Sequence, residues 1–173
     1  KEVIESGVLS QFLGVWNENF YGGPKVKEFE RQCTEYFGVK HAVTVNSWTS
    51  GLIAAVGSLD IEPGDEIIVS TWTMCASATA IIHWLAIPVF ADINPETFNI
   101  DINSIKKNIN KRTKAIIVPD IFGQSADINK IINLAKKHKI KVISDSAQSI
   151  SAKYKNKYAG TLADIGGFSL NYH

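Results

Sequence analysis

The chain has 173 residues, 45% hydrophobic and 20% charged, the balance of a soluble globular protein long enough for one sizeable core. Its formal net charge of +1 gives no electrostatic case for nucleic acid or an anionic membrane, so a small molecule or another subunit is the expected partner. The most apolar region, residues 76–91, is broken by His83 and Pro88 and falls short of the roughly 20 residues a membrane span needs.

Residues 3–15 are mildly amphipathic, and the N-terminal stretch carries Glu2 and Glu5 and lacks the apolar segment of a signal peptide. The sequence opens on Lys1 instead of Met, so a natural start further upstream is expected. Tyr21-Gly22-Gly23-Pro24 is a strong turn signal. Val26, Phe29, Cys33, Tyr36 and Phe37 then recur at helical spacing and stop at Gly38, which predicts an amphipathic helix with a glycine C-cap. Ala42-Val43-Thr44-Val45 predicts a short strand, and Asn46-Ser47-Trp48-Thr49-Ser50-Gly51 the turn into a helix over residues 49–59. Cys33 and Cys75 lie far apart and in no metal-ligand spacing, which fits reduced thiols in a cytoplasmic protein.

Pro63-Gly64-Asp65-Glu66 predicts another turn, followed by the strand Ile67-Ile68-Val69-Ser70, a polar exit over residues 71–73 and an Ala-rich helix over residues 75–85. Ile87-Pro88-Val89-Phe90-Ala91 is the next strand, where Pro88 points to an edge or strand-start position. Asp101 is the expected N-cap of a helix covering Ile102, Ile105 and Ile109. Residues 115–118 predict a strand, 128–139 a helix, 142–143 a strand, and 164–170 one more strand. Short apolar strands alternating with helices imply βαβ units and a mostly parallel sheet with helices on both faces, an α/β fold in one domain.

Ile140-Lys141-Val142-Ile143-Ser144-Asp145-Ser146-Ala147-Gln148 ends a buried strand in an acid. That is where open α/β sheets place their ligands, and a desolvated carboxylate needs a cation or donors to meet it. Capping of the next segment by Asp145, or pairing with a surface Lys, is the ordinary alternative. The polar turn over residues 46–50 offers free N–H groups and a positive dipole end, suited to a phosphate, or else plain capping by Ser47 or Thr49. Neither a Gly-x-Gly-x-x-Gly nor a Walker sequence is present. His41, His83, His138 and His173 form no metal-spaced pair, and Asp92-Ile93-Asn94-Pro95-Glu96 lacks the glycine a calcium loop needs.

Taken in order, several segments carry a resemblance: Gly22-Gly23-Pro24, Asn46 to Leu52, Pro63-Gly64-Asp65-Glu66, Pro88 to Ile93, Thr97-Phe98-Asn99-Ile100-Asp101, Phe122 to Asp127, Asp145-Ser146-Ala147-Gln148 and Asp164 to Ser169. The chain resembles, nearly end to end, the large domain of a DegT/DnrJ-type sugar aminotransferase of pyridoxal-phosphate fold type I. The resemblance implies that Asp145 pairs with the protonated pyridine nitrogen of pyridoxal 5'-phosphate and that Gln148 meets the ring's 3-hydroxyl oxygen. It implies that backbone and hydroxyl donors of Trp48, Thr49 and Ser50, joined by Ser169, hold the cofactor phosphate. Two departures stand out: Met74 where the family has an aromatic over the ring face, with Trp72 as an alternative cover, and Trp48 where it has a small residue, of which only the backbone is expected to matter.

The Schiff-base lysine is expected at position 174, one past His173, with the rest of residues 1–173 forming an incomplete cofactor-binding domain and a small C-terminal domain lying beyond. The implied reaction is transfer of an amino group from an amino acid, glutamate in most of the family, to a nucleotide-linked keto-sugar. Histidine at position 174 would instead imply a nucleotide-sugar dehydratase of the same family, and a non-catalytic regulatory relative is a third reading. A cysteine desulfurase shares an Asp-x-x-Gln segment but stacks His where Met74 stands. A homodimer with shared active sites is implied too, which Phe12, Trp16, Phe20 and Tyr21 would suit.

Overall fold

A computed structural model describes residues 1–9 and 15–171, in two compact units, Lys1–Thr44 and Val45–His173. Phe12 and His173 lie outside the described residues.

The first unit holds a short helix α1 (Glu2–Glu5) and the amphipathic helix α2 (Pro24–Phe37). Pro24 opens α2 at a position where its missing N–H costs nothing, and Gly38 closes it in the left-handed region at φ 64°. The strand expected at residues 42–45 does not form: the Thr44 N–H and hydroxyl both donate to the Glu30 carboxylate, at 2.7 and 2.8 Å. Val43 is 80% exposed there, so neither ladder pairing nor a buried face supports β structure.

The second unit is a parallel sheet between two helical layers. Its strands are β1 (Glu66–Ser70), β2 (Ile87–Ala91), β3 (Thr113–Pro119), β4 (Lys141–Asp145) and, after a small hairpin, β7 (Ile165–Gly167), in the order β2-β1-β3-β4-β7. The helices are α3 (Trp48–Gly57), α4 (Cys75–Ile82), α5 (Ile102–Asn108) and α6 (Ile128–His138). Alternation along the strands divides the core. Ile67, Val69, Ala115, Ile117 and Ile143 pack with Leu52, Val56, Ala80 and Ile81 of α3 and α4. Ile68, Ile116, Val118 and Val142 pack with Ile105, Ile128, Ile131 and Ala135 of α5 and α6. Each fully buried Ile contributes about 1.5–3 kcal/mol. The order steps outward from β1 to β2 and returns past β1 to β3, so α4 lies on one face and α5 and α6 on the other, as same-handed crossovers require.

Pro88 does sit on an edge strand, and the Asp101 carboxylate caps α5 by accepting from the Ser104 N–H at 3.1 Å. The last strand is shorter than the sequence suggests: β4 ends at Asp145 opposite Gly167, and the ladder between the two strands stops there. A hairpin of β5 (Lys153–Tyr154) and β6 (Lys157–Tyr158) had no counterpart in the sequence reading. Its two turn residues, Lys155 and Asn156, take φ 48° and 66°, the left-handed pair of a tight hairpin turn. Among the described residues no helix is long and apolar enough to cross a membrane.

Candidate active site

All the residues singled out around the implied cofactor lie where strands of the second unit end or where α3 begins. Asp145 closes β4 and is 6% exposed. Among the described residues no lysine takes its carboxylate, and capping of the next segment accounts for one bond of three. Oδ1 accepts from the indole Nε1–H of Trp48 at 2.7 Å and from the Ala147 N–H at 3.3 Å, and Oδ2 accepts from the Ser77 hydroxyl at 2.7 Å. The Trp48 side chain, and not only its backbone, therefore touches Asp145. Its ring fits because Gly51 and Gly167 flank it: a Cβ on Gly167 would lie 1.9 Å from the indole. Ser77, on the α4 turn facing the same carboxylate, was not foreseen from sequence, and no spacing rule points to it.

At the start of α3, Ser47 caps the helix by accepting from the Ser50 N–H at 3.2 Å, and the Ser50 hydroxyl lies 3.1 Å from the Ser47 hydroxyl. Among the described residues the N–H groups of Trp48 and Thr49 are then the uncommitted donors of the first turn, beside an exposed Thr49 hydroxyl. Ser169 follows β7; its oxygen accepts from the Asn171 N–H at 3.1 Å, which leaves its proton to donate. Gln148 is exposed, and its side-chain oxygen accepts from the Phe122 N–H at 2.9 Å. What the amide has left to offer is its N–H donors. Phe122 presents that N–H from the left-handed region, φ 55°, an uncommon and strained conformation for an aromatic residue.

Met74, the N-cap residue of α4, is 66% exposed at the end of the segment leaving β1. The Trp72 ring packs edge-on against Phe98 at 5.5 Å. Met74 thus has the less committed side chain of the two.

Beneath this layer sits a second buried acid. Asp120, 2% exposed just beyond β3, accepts from the Ala126 N–H at 2.8 Å and from the hydroxyls of Ser146 and Ser144 at 2.5 and 3.2 Å. Burial pushes its carboxyl above the ordinary aspartate range, and the Ser146 bond opposes that shift. The Asp120 N–H also donates to the Asp145 carbonyl at 2.9 Å, so Asp120 braces the Asp145 to Gln148 loop from below. Ala115-Ile116-Ile117-Val118-Pro119-Asp120 also ends an apolar strand in an acid, so the pattern that marks Asp145 in the sequence marks Asp120 equally.

A carboxylate acceptor, an amide with free donors, and a helix N-terminus with free N–H groups form a donor and acceptor set suited to a protonated heterocycle bearing a hydroxyl and a phosphate. Among the described residues no cluster of His, Cys, Asp or Glu could hold a metal ion.

Comparison with known proteins finds similar sequences and folds over most of the chain. GDP-perosamine synthase of Caulobacter vibrioides is 40% identical over 148 residues, 86% of this chain and 40% of that protein. The aminotransferase from Psychrobacter cryohalolentis superposes with a TM-score of 0.87 at 32% identity, covering 96% of this chain and 40% of its own. GDP-4-keto-6-deoxy-D-mannose-3-dehydratase of E. coli, solved with bound hydrated pyridoxal phosphate, gives a TM-score of 0.87 at 28% identity over 99% of this chain and 43% of its own. The chain thus spans about two fifths of the length of these relatives. The profile of the DegT/DnrJ/EryC1/StrS aminotransferase family matches residues 9–172, and the chain belongs to that family.

Proposed function

We propose that the protein carrying this chain binds pyridoxal 5'-phosphate at the carboxyl end of the sheet and transfers an amino group from an amino acid to a nucleotide-linked keto-sugar. The observation that carries the proposal is the Asp145 carboxylate, buried at the end of β4 beside the free N–H groups of α3 and the free amide donors of Gln148. Family membership and relatives such as the perosamine synthase support the substrate class.

When bound, the cofactor supplies an electron sink and carries the amino group between donor and acceptor. Asp145 would hold the proton on the ring nitrogen. Gln148 would donate to the ring hydroxyl oxygen, and its Phe122 bond keeps the amide turned so that N–H faces outward. Trp48 and Thr49 N–H groups, with the hydroxyls of Thr49, Ser50 and Ser169, would meet the phosphate, and Met74 would lie over the ring face. Proton transfer at the reacting carbon falls to the residue at position 174. A homodimer is part of the proposal: Trp16 and Tyr21 are 74% and 67% exposed in one aromatic group with Phe20. The free thiols Cys33 and Cys75 support a cytoplasmic enzyme.

The E. coli dehydratase neighbour favours one second reading, deoxygenation of the sugar, with histidine at position 174. The test is the full-length protein loaded with pyridoxal phosphate. Glutamate should abolish the visible absorbance of the bound cofactor, and a nucleotide keto-sugar should restore it with formation of an amino sugar. A deoxy-keto-sugar product selects the second reading, and no spectral response to any amino acid refutes both.

A further inference from the structure

The hydrogen bonds at Asp145 leave little freedom in how it can be used. A carboxylate has about four acceptor positions, two on each oxygen. Oδ1 has both of its own filled, by the Trp48 indole and the Ala147 N–H. Oδ2 has one filled, by Ser77. The direction of each bond is forced: an indole N–H only donates, and an ionised carboxylate only accepts. Ser77 spends its single proton on Asp145, so the Thr73 hydroxyl, 2.9 Å from Ser77 Oγ, is the donor in that pair. Donors from α3 and α4 thus clamp the carboxylate from two sides, with the indole seated between two glycines.

We infer that Trp48 is a positioning residue for the cofactor: with Ser77 it fixes the Asp145 carboxylate so that Oδ2 is the one acceptor presented to the protonated ring nitrogen. This rests on the cofactor reading proposed above. Trp48 stands where the family resemblance implies a small residue.

The test is equilibrium binding by the full-length protein of two probes, pyridoxal phosphate and its analogue with C–H in place of the ring nitrogen. The analogue keeps the phosphate and hydroxyl contacts and loses only the bond to Asp145. The native protein should prefer pyridoxal phosphate. Trp48→Phe keeps an aromatic ring between the glycines and removes the N–H; it should weaken pyridoxal phosphate binding about tenfold, the scale of one hydrogen bond to a charged group, and leave the analogue unchanged. Ser77→Ala should behave likewise, and Ser77→Thr should restore the preference.

Equal losses for both probes in Trp48→Phe would reduce Trp48 to a packing residue and overturn the inference, as would no loss or tighter binding. Should Trp48→Phe fail to fold, the Ser77 pair decides: loss without threonine rescue overturns the clamp. A native protein that binds neither probe, or both equally, instead refutes the cofactor reading itself.

Discussion

Removing the Asp120 carboxylate tests the brace beneath the site. In Asp120→Ala the Ala126 N–H loses its acceptor at 2.8 Å inside the protein, which costs about 1–3 kcal/mol. The Ser144 and Ser146 hydroxyls, 3.2 Å apart, can turn to each other and recover part of what they lose. Against this, the variant escapes the penalty of burying a charge. The expected net loss is about 1–2 kcal/mol near neutral pH. Asp120→Asn separates the two effects, since its amide oxygen keeps the Ala126 bond without the charge. The folded Asp120 carboxyl is raised by burial, so its contribution to stability is fully present below the unfolded value of about 4 and is lost as pH rises through the folded value. The native protein should therefore lose stability relative to Asp120→Asn as pH rises from about 4 towards neutrality. Urea unfolding of the full-length protein across that range measures the difference. Parallel native and Asn profiles, or a loss under about 0.5 kcal/mol in the Ala variant, would refute the assignment of Asp120 as a buried, burial-shifted brace.

Gly166→Ala places a Cβ 1.9 Å from the Gly160 carbonyl oxygen, rigid backbone that cannot step aside, and should lower stability by about 3 kcal/mol in thermal unfolding. Gly167→Ala meets the Trp48 ring first, a side chain and not rigid backbone, so it should cost less stability while weakening pyridoxal phosphate binding, because a displaced indole leaves Asp145. Glu66, buried at the start of β1, is held below the ordinary glutamate range by hydrogen bonds from Asn110 and then Arg112. Its contribution is present above the unfolded value and lost as pH falls through the folded one, so Glu66→Gln should flatten the acid limb of a urea-midpoint profile.

Much of the fold was legible because its strands are apolar runs of the right length and its helices carry their own stop and start signals. Asp101 as a cap, Gly38 as a C-cap and Pro88 on an edge each rest on the chemistry of one residue and its near neighbours. Residues 42–45 show the limit of that logic. Their alternation suits a strand, but a strand needs a partner, and Thr44 gives its N–H to Glu30 instead. The hairpin at residues 153–158 was missed because its turn signal is a Lys-Asn pair, weaker than Asn-Gly.

The sequence alone determined the class of fold, the presence of an acid closing a buried strand at Asp145, and the family, since each is carried by local pattern or by ordered motifs along the chain. Only the tertiary structure decided what Asp145 touches. Trp48 lies 97 positions away and Ser77 68 positions away, and both arrive through strand order and helix packing that no local pattern encodes. Two glycines remote from each other in sequence, Gly51 and Gly167, make the space for the indole. Hydrogen bonds at the site follow from where the sheet brings its carboxyl ends together, and that is a property of the assembled fold.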